Sequence, residues 1–220
     1  MKKRVVLFIF LTFLSGCFGS NDPFRGRMTD WDSYVRSGEK AYKEGRYRDA
    51  ERTFEAALKE ARAFGKENES YLYTEDYLAN VYGMLGKYAL AESIEKKVLD
   101  YQEKKNGADH PSVATALNNL AATYRSEGKY TEAETLLRRA KSIIDRIPEP
   151  KPLLLGLVLA NLAGVRGNLE DPVGAETLYI EALDFRRERL GKEHAEYGGT
   201  LVQIAGFYMG LGKYKEAFWF

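Results

Sequence analysis

Gly128-Lys129-Tyr130-Thr131-Glu132-Ala133 is the stretch whose reading decides the fold. Its echoes are Gly45-Arg46-Tyr47 with Ala50, Gly86-Lys87-Tyr88 with Ala91, and Gly212-Lys213-Tyr214 with Ala217. A degraded copy reads Asp171-Pro172 with Ala175. The alanines therefore recur at 50, 91, 133, 175 and 217, in steps of 41, 42, 42 and 42 residues. A comb this regular is the mark of a stacked structural unit, and such a period outranks any local motif in assigning a fold.

Around each tooth of the comb lie two helical stripes joined by a tight turn. In the third unit, Pro111 suits the first helical position, where the missing N–H is unpaired anyway. Val113, Leu117, Leu120, Ala121 and Tyr124 follow on one apolar face. Gly128 ends that helix, because glycine takes a left-handed conformation without strain. Tyr130, Ala133, Leu137, Ala140 and Ile144 form the facing stripe of the second helix, with Thr131 and Glu134 spaced as a capping box.

This pattern resembles the tetratricopeptide repeat. Twelve residues before each alanine of the comb stand Gly38, Ala79, Ala121, Ala163 and Ala205, matching the small helix-A residue of that family. Three positions on stand Ala41, Tyr82, Tyr124, Arg166 and Tyr208, where the family favours an aromatic side chain. The 42-residue step, and Asp109-His110-Pro111-Ser112-Val113-Ala114 running into Leu117-Asn118-Asn119-Leu120-Ala121, are similar to the kinesin-light-chain type. The resemblance implies an all-α fold, a right-handed α-solenoid of antiparallel helix pairs. It sets repeats at about 29–66, 68–107, 110–148, 150–191 and 194–220, the last one cut short.

Three places depart from the pattern. Glu95 occupies a helix-B site that holds Phe54, Leu137 and Tyr179 elsewhere, which puts a carboxyl where the packing wants an apolar group. In the fourth unit Gly164 and Gly167 sit inside helix A, each costing up to about 1 kcal/mol relative to alanine. Arg166 replaces the aromatic residue there and Glu170 the turn glycine, so a weaker joint is expected, although Asp171-Pro172 still supplies a cap. The fifth unit runs into Phe218-Trp219-Phe220, an apolar end of the kind that invites self-association.

Upstream of the array, Lys2-Lys3-Arg4 is a basic start, and nine of the ten residues from Val5 to Leu14 are apolar. That run is short of the roughly 20 residues a membrane-spanning helix needs and suits a secretory signal. Leu14-Ser15-Gly16-Cys17 then resembles the lipobox of bacterial lipoproteins, which implies a signal peptide over residues 1–16 and lipidation of Cys17. Cys17 is the only cysteine, so no internal disulfide staples the chain. Phe18 rather than Asp after the cysteine implies, for such lipoproteins, the outer membrane facing the periplasm. Residues 17–28 read as lipidated cysteine and flexible tether, and the array fills 29–220. More than one acyl chain gives stable anchoring.

No catalytic pattern accompanies this frame, and the expectation is a protein that is not an enzyme. The two histidines, His110 and His194, lie 84 residues apart at equivalent helix starts, where a cap or packing role is the simplest reading, so no metal site is expected. No phosphate loop, nucleophile elbow or paired-histidine metal motif occurs, so no cofactor is expected. The formal charge of +1 carries no nucleic-acid signature. The recurring Glu and Lys of helix B read as solvated surface.

Function is then expected on the helix-A side away from the buried seam. The partner-binding candidates are Arg36, Tyr42, Tyr73, Tyr77, Asn80, Asn118, Asn119, Arg125, Asn161 and Gln203, with Glu39, Asp76 and Met209 beside them. Asn119, Asn161 and Gln203 share one register position, a carboxamide ladder able to bond both N–H and C=O of an extended peptide. The expected role is a membrane-anchored adaptor holding an envelope protein or peptide. Two other readings stay open at this point: a regulatory module of a formerly longer or separately encoded effector enzyme, and a self-associating structural lipoprotein.

Overall fold

The computed structural model describes residues 30–65, 68–147 and 152–220. The signal peptide, Cys17 and the tether lie outside the described residues. What is described is helical, in five consecutive antiparallel pairs: α1 Asp30–Lys43 with α2 Tyr47–Ala61, α3 Glu69–Met84 with α4 Tyr88–Asn106, α5 Pro111–Glu127 with α6 Tyr130–Asp145, α7 Pro152–Asn168 with α8 Pro172–Leu190, and α9 Ala195–Gly210 with α10 Tyr214–Phe218. A single 3₁₀ turn, Arg62–Phe64, follows α2. The fold class is all-α, an α-solenoid of antiparallel helix pairs.

The five intra-pair turns are one structure repeated. In each, the residue after the left-handed position returns its N–H to a carbonyl five residues back: Arg46 to Ala41 at 2.8 Å, Lys87 to Tyr82 at 2.8 Å, Lys129 to Tyr124 at 2.8 Å, Asp171 to Arg166 at 3.0 Å and Lys213 to Tyr208 at 2.9 Å. A second bond spans three residues, as in Gly128 N–H to Arg125 at 3.2 Å, so each helix A closes on a Schellman motif. The left-handed position is Gly128 at φ +92 in the third pair and Glu170 at φ +61 in the fourth. Hence the turn forms even where glycine is missing, with Asp171 accepting the Gly174 N–H at 2.9 Å to cap α8.

The capping box expected from Thr131 and Glu134 does not form. Helix α6 already begins at Tyr130, so Thr131 lies inside it, and Glu134 is held by Arg138 and Arg166 at 2.8 Å each. The histidines do cap helices: the Nδ1 atoms of His110 and His194 accept the N–H groups of Ser112 and Glu196 at 3.2 Å.

The described chain divides into two compact units. The N-terminal unit comprises residues 30–108 with Ala122–Lys129, and the C-terminal unit comprises Asp109–Ala121 with Tyr130–Phe220. In the N-terminal unit Ala41, Ala50, Phe54, Leu78, Ala79, Tyr82, Ala91 and Ile94 form one cluster, and Trp31, Val35, Ala57, Ala61 and Tyr71 a second. Phe54 is wholly enclosed, worth roughly 1.5–3 kcal/mol of burial. It lies so close to Gly38 that a Cβ there would stand 2.8 Å from its ring. The small residue of helix A is thus what lets α2 seat against α1. In the C-terminal unit Leu159, Ala160, Ala163, Tyr179, Ala182, Ile204 and Tyr208 make the corresponding core.

Within each unit, successive pairs are clasped by a bond that helical periodicity alone does not reveal. Tyr82 donates its phenolic hydrogen to Glu55 at 3.2 Å, Tyr124 to Glu92 at 3.1 Å and Tyr208 to Glu176 at 2.6 Å. Arg166, standing where the aromatic residue is missing, pairs with Glu134 at 2.8 Å and with Asp171 at 2.7 Å. Phe207 packs over Gly167, where a Cβ would meet its ring at 3.4 Å, an ordinary van der Waals contact. The fourth unit therefore keeps a clasp, with different chemistry. The helix-B glutamates 55, 92, 134 and 176 are seam residues rather than idle surface.

Candidate functional site

In the N-terminal unit three of the candidate tyrosines come together on α1 and α3. Tyr77 stacks on Phe54 with ring centroids 5.0 Å apart, meets Tyr73 at 5.0 Å and presents its edge to Tyr42 at 6.4 Å. Tyr42 also meets Tyr47 at 5.6 Å, and Tyr73 meets Trp31 at 6.4 Å. The phenol of Tyr73 donates to Glu39 Oε1 at 2.5 Å. Burial, then the neighbouring Tyr47, Tyr77 and Asp76, pushes the Tyr42 phenol up to about 12. Burial and the bond to Glu39 push Tyr73 up further, and burial also raises Tyr77. All three rings are thus neutral, half-buried and shared between walls and solvent.

The other candidates in this unit are placed differently. Arg36 is exposed and Arg125 half-buried. Asn80 turns its amide back to the Asp76 carbonyl at 2.8 Å, a bond within its own helix. Glu95 of α4 is 6% exposed, its Oε1 accepting from Thr123 Oγ1 at 3.0 Å while Oε2 is enclosed without a hydrogen-bond partner among the described residues. Burial, reinforced by Asp76 and Glu92, raises its carboxyl well above the usual carboxylate range. Register marked Glu95 as an anomaly but gave no means of seeing that Asp76 acts on it.

The C-terminal unit holds the carboxamides, with different rungs from those expected. Asn118 is 2% exposed and Asn161 1%, and the bond that forms runs from Asn161 Nδ2 to Asn118 Oδ1 at 2.9 Å. Asn118 Nδ2 in turn reaches Asn119 Oδ1 at 3.4 Å. The residues in contact are one position out of register with the equivalence the period defines. Asn119 and Gln203 are the half-buried members, while Asn161 Oδ1 and Gln203 Oε1 are enclosed acceptors with no hydrogen-bond partner among the described residues. Elsewhere in this unit Phe218 is 87% and Trp219 84% exposed, while Phe220 stacks on Tyr208 at 5.6 Å.

A cleft of about 650 Å³ also opens against α6, α7 and α8, lined by Arg138, Lys141, Arg146 and Arg166 among others. Those cations are each paired within the unit, with Glu134, Asp145, Asp109 and Asp171 as their partners. Among the described residues no group of three His, Cys, Asp or Glu is placed to hold a metal ion, and no helix is long and apolar enough to cross a membrane.

Comparison with known proteins agrees with this geometry. Family models described as the tetratricopeptide repeat match residues 33–104, 78–146 and 157–196. The human mitochondrial tetratricopeptide repeat protein 19 is 29% identical over 107 residues, 47% of this chain and 27% of that protein. The chain thus spans about a quarter of the length of the curated relatives it matches first. A crystal structure of kinesin light chain-like repeats from Podosopora anserina superposes with a TM-score of 0.63 at 20% identity, covering 87% of this chain and 92% of that one. A Rap protein complexed with Competence and Sporulation Factor gives 0.70 at 16% identity, covering 88% of this chain and 53% of that one. With its period, its paired helices and the matched family models in agreement, the chain belongs to the tetratricopeptide-repeat family.

Proposed function

We propose that this protein is a non-enzymatic adaptor of the bacterial envelope, tethered by lipid on Cys17, that holds a partner protein or extended peptide along its helix-A faces. The family supports an interaction role, its members being in general binding modules rather than enzymes. The observation that carries the peptide reading is the pair of enclosed acceptors, Asn161 Oδ1 and Gln203 Oε1, which no donor among the described residues satisfies. Buried polar atoms are rarely left so. The backbone N–H groups of an extended chain are donors of the right kind, and Asn119 and Gln203 are the half-buried members of the set. The Rap structure, a related fold solved with a bound factor, supports the same mode of use.

Asn119 and Gln203 are the positions to test. Asn161 is spoken for by its bond to Asn118, and removing it leaves a buried oxygen stranded. The Asn119→Ala/Gln203→Ala variant is expected to keep its helical circular dichroism and to lose crosslinked partner in intact envelopes. Undiminished crosslinking sinks the assignment. The anchor is checked separately: Cys17→Ser should abolish incorporation of radiolabelled palmitate and release the chain from membranes.

A further inference from the structure

We infer that the cleft walled by α6, α7 and α8 binds a phosphate group, held by Arg138, Lys141, Arg146 and Arg166. It is a second site, built from other residues than Asn119 and Gln203 and independent of what they hold.

Two of the four cations stand where the repeat pattern has another kind of residue. Lys141 lies eight residues after Ala133, and the same position holds Leu58, Leu99 and Leu183 in the other three complete pairs. Leu58 and Leu183 pack against the cores of their units, so the scaffold uses this position as an apolar one. Arg166 likewise replaces the aromatic residue that is Tyr82, Tyr124 and Tyr208 elsewhere. Both replacements line the one cleft, from different helices. Packing requires neither of them.

The cations are paired, yet the pairs leave donors unused. Arg138 Nε and Arg166 Nη2 reach the same oxygen, Glu134 Oε1, at 2.8 Å each, so one carboxylate oxygen draws two guanidinium groups together. Arg166 gives Nη1 to Asp171 Oδ2, while Asp171 Oδ1 is taken by the Gly174 N–H. Arg138 is bonded through Nε alone, and its two η nitrogens have no hydrogen-bond partner among the described residues. Arg146 and Asp109 form a pair whose side chains are 58% and 70% exposed. Exposed pairs of that kind contribute little, so Arg146 changes partner at small cost.

The lining fixes the class of ligand. Four of its ten residues are cations and one, Asp145, is an acid, so the group it attracts is an anion. Guanidinium forks match carboxylate and phosphate alike. A carboxylate holds its two oxygens in one plane and is filled by a single fork. A phosphate turns its oxygens in several directions, which suits three guanidinium groups and an ammonium arriving from α6 and α7. Ser142 adds a hydroxyl to the same lining. The volume of about 650 Å³ lies within the roughly 300–1,000 Å³ of small-molecule sites, and Leu162 and Leu178 give an apolar wall to whatever the phosphate carries. That chemistry is shared by a soluble phosphate ester and a phospholipid headgroup.

The test is phosphorus NMR of two probes titrated with the full chain in a phosphate-free detergent: glycerol phosphate, a soluble monoester, and glycerophosphoglycerol, the diester headgroup of a phospholipid. The expected result is saturable broadening of the probe signal that an equal concentration of acetate does not reverse. Lys141→Leu/Arg166→Tyr and, separately, Arg138→Gln should each weaken binding about ten-fold or more. The double variant restores the residues of the other repeats, so its helicity and melting temperature should hold. Should it melt lower, the exposed Arg138 decides alone. Lys104→Gln, which removes an exposed cation paired with Asp100 outside the cleft, should change nothing. Binding of the monoester alone supports the inference with a soluble ester as ligand, and binding of the diester as well supports it with a headgroup. Displacement by acetate, undiminished binding in the cleft variants, or binding of neither probe overturns it. Each of those results leaves the crosslinking test of Asn119 and Gln203 untouched.

Discussion

Glu92 and Glu95 stand three positions apart on α4 and titrate in opposite directions. Hydrogen bonds from Lys96, Lys129 and Tyr124 hold the Glu92 carboxyl down to about 2. Burial, with Asp76 and Glu92 nearby, pushes Glu95 well up. The consequences for stability follow from linkage. Glu92, depressed in the folded chain, contributes stability that is present above its ordinary carboxylate value and lost as pH falls toward about 2. Glu95 has the opposite sign: unfolding lets it ionise at its ordinary value, so the folded state is at its best below about 4.3 and loses ground as pH rises. Glu95→Leu is therefore expected to stabilise the protein at pH 8, by about 1–3 kcal/mol if the idle oxygen is the main cost. The gain should shrink at pH 4. Thermal melts at the two pH values check it, and an equal gain at both would remove charge as the cause. Register alone exposed Glu95 as misplaced. It could not reveal the role of Glu92, because that depends on Tyr124 and Lys129 reaching across from the next pair.

At the scale of the element, the turn is what the repeat conserves in geometry while varying in sequence. Four pairs place glycine at the left-handed position and the fourth places Glu170 at φ +61, yet the same five-residue bond closes each. A side chain in that conformation costs roughly 1–2 kcal/mol, partly offset by the unfolded-chain entropy that glycine adds. Glu170→Gly should thus stabilise by about 0.5–1 kcal/mol, seen as a higher denaturant midpoint with an unchanged slope. A lower midpoint would mean that the Glu170 side chain supplies a contact worth more than its strain. Helix order and turn position were legible because period and punctuation act locally. The carboxamide rungs were not. Which of two adjacent asparagines meets Asn161 is set by how α5 and α7 pack inside the C-terminal unit, and sequence periodicity does not resolve a shift of one residue.

Across the whole molecule, stability in a repeat array is a sum of local terms, since each unit contacts only its neighbours. The buried node of α8 and α9 offers a way to see this. Arg186 is 2% exposed and its guanidinium spans Glu196 Oε2 at 2.9 Å, the Glu196 carbonyl at 2.9 Å and Thr200 Oγ1 at 2.5 Å, with its stem laid over Gly156. Burial lowers the guanidinium from its ordinary value and the Glu196 carboxylate opposes that shift. The pair is held together because neither charge has another place to go. Arg186→Met strands a carboxylate that is itself 8% exposed, and breaking one side of a buried pair costs about 3–5 kcal/mol. In a two-state globule that loss would lower protection everywhere. In an array it should fall on α8 and α9 and fade with distance along the chain. Amide hydrogen exchange on the variant is expected to show faster exchange through Pro172–Gly210, while α1 to α4 exchange as in the parent. Pairing Arg186→Met with Glu196→Leu should recover most of the protection, because the cost lies in the stranded charge more than in the lost bond. Uniform loss of protection from α1 to α9 would show instead that the helix pairs unfold as one cooperative body, and the energetics of any groove substitution would then have to be judged against the whole chain.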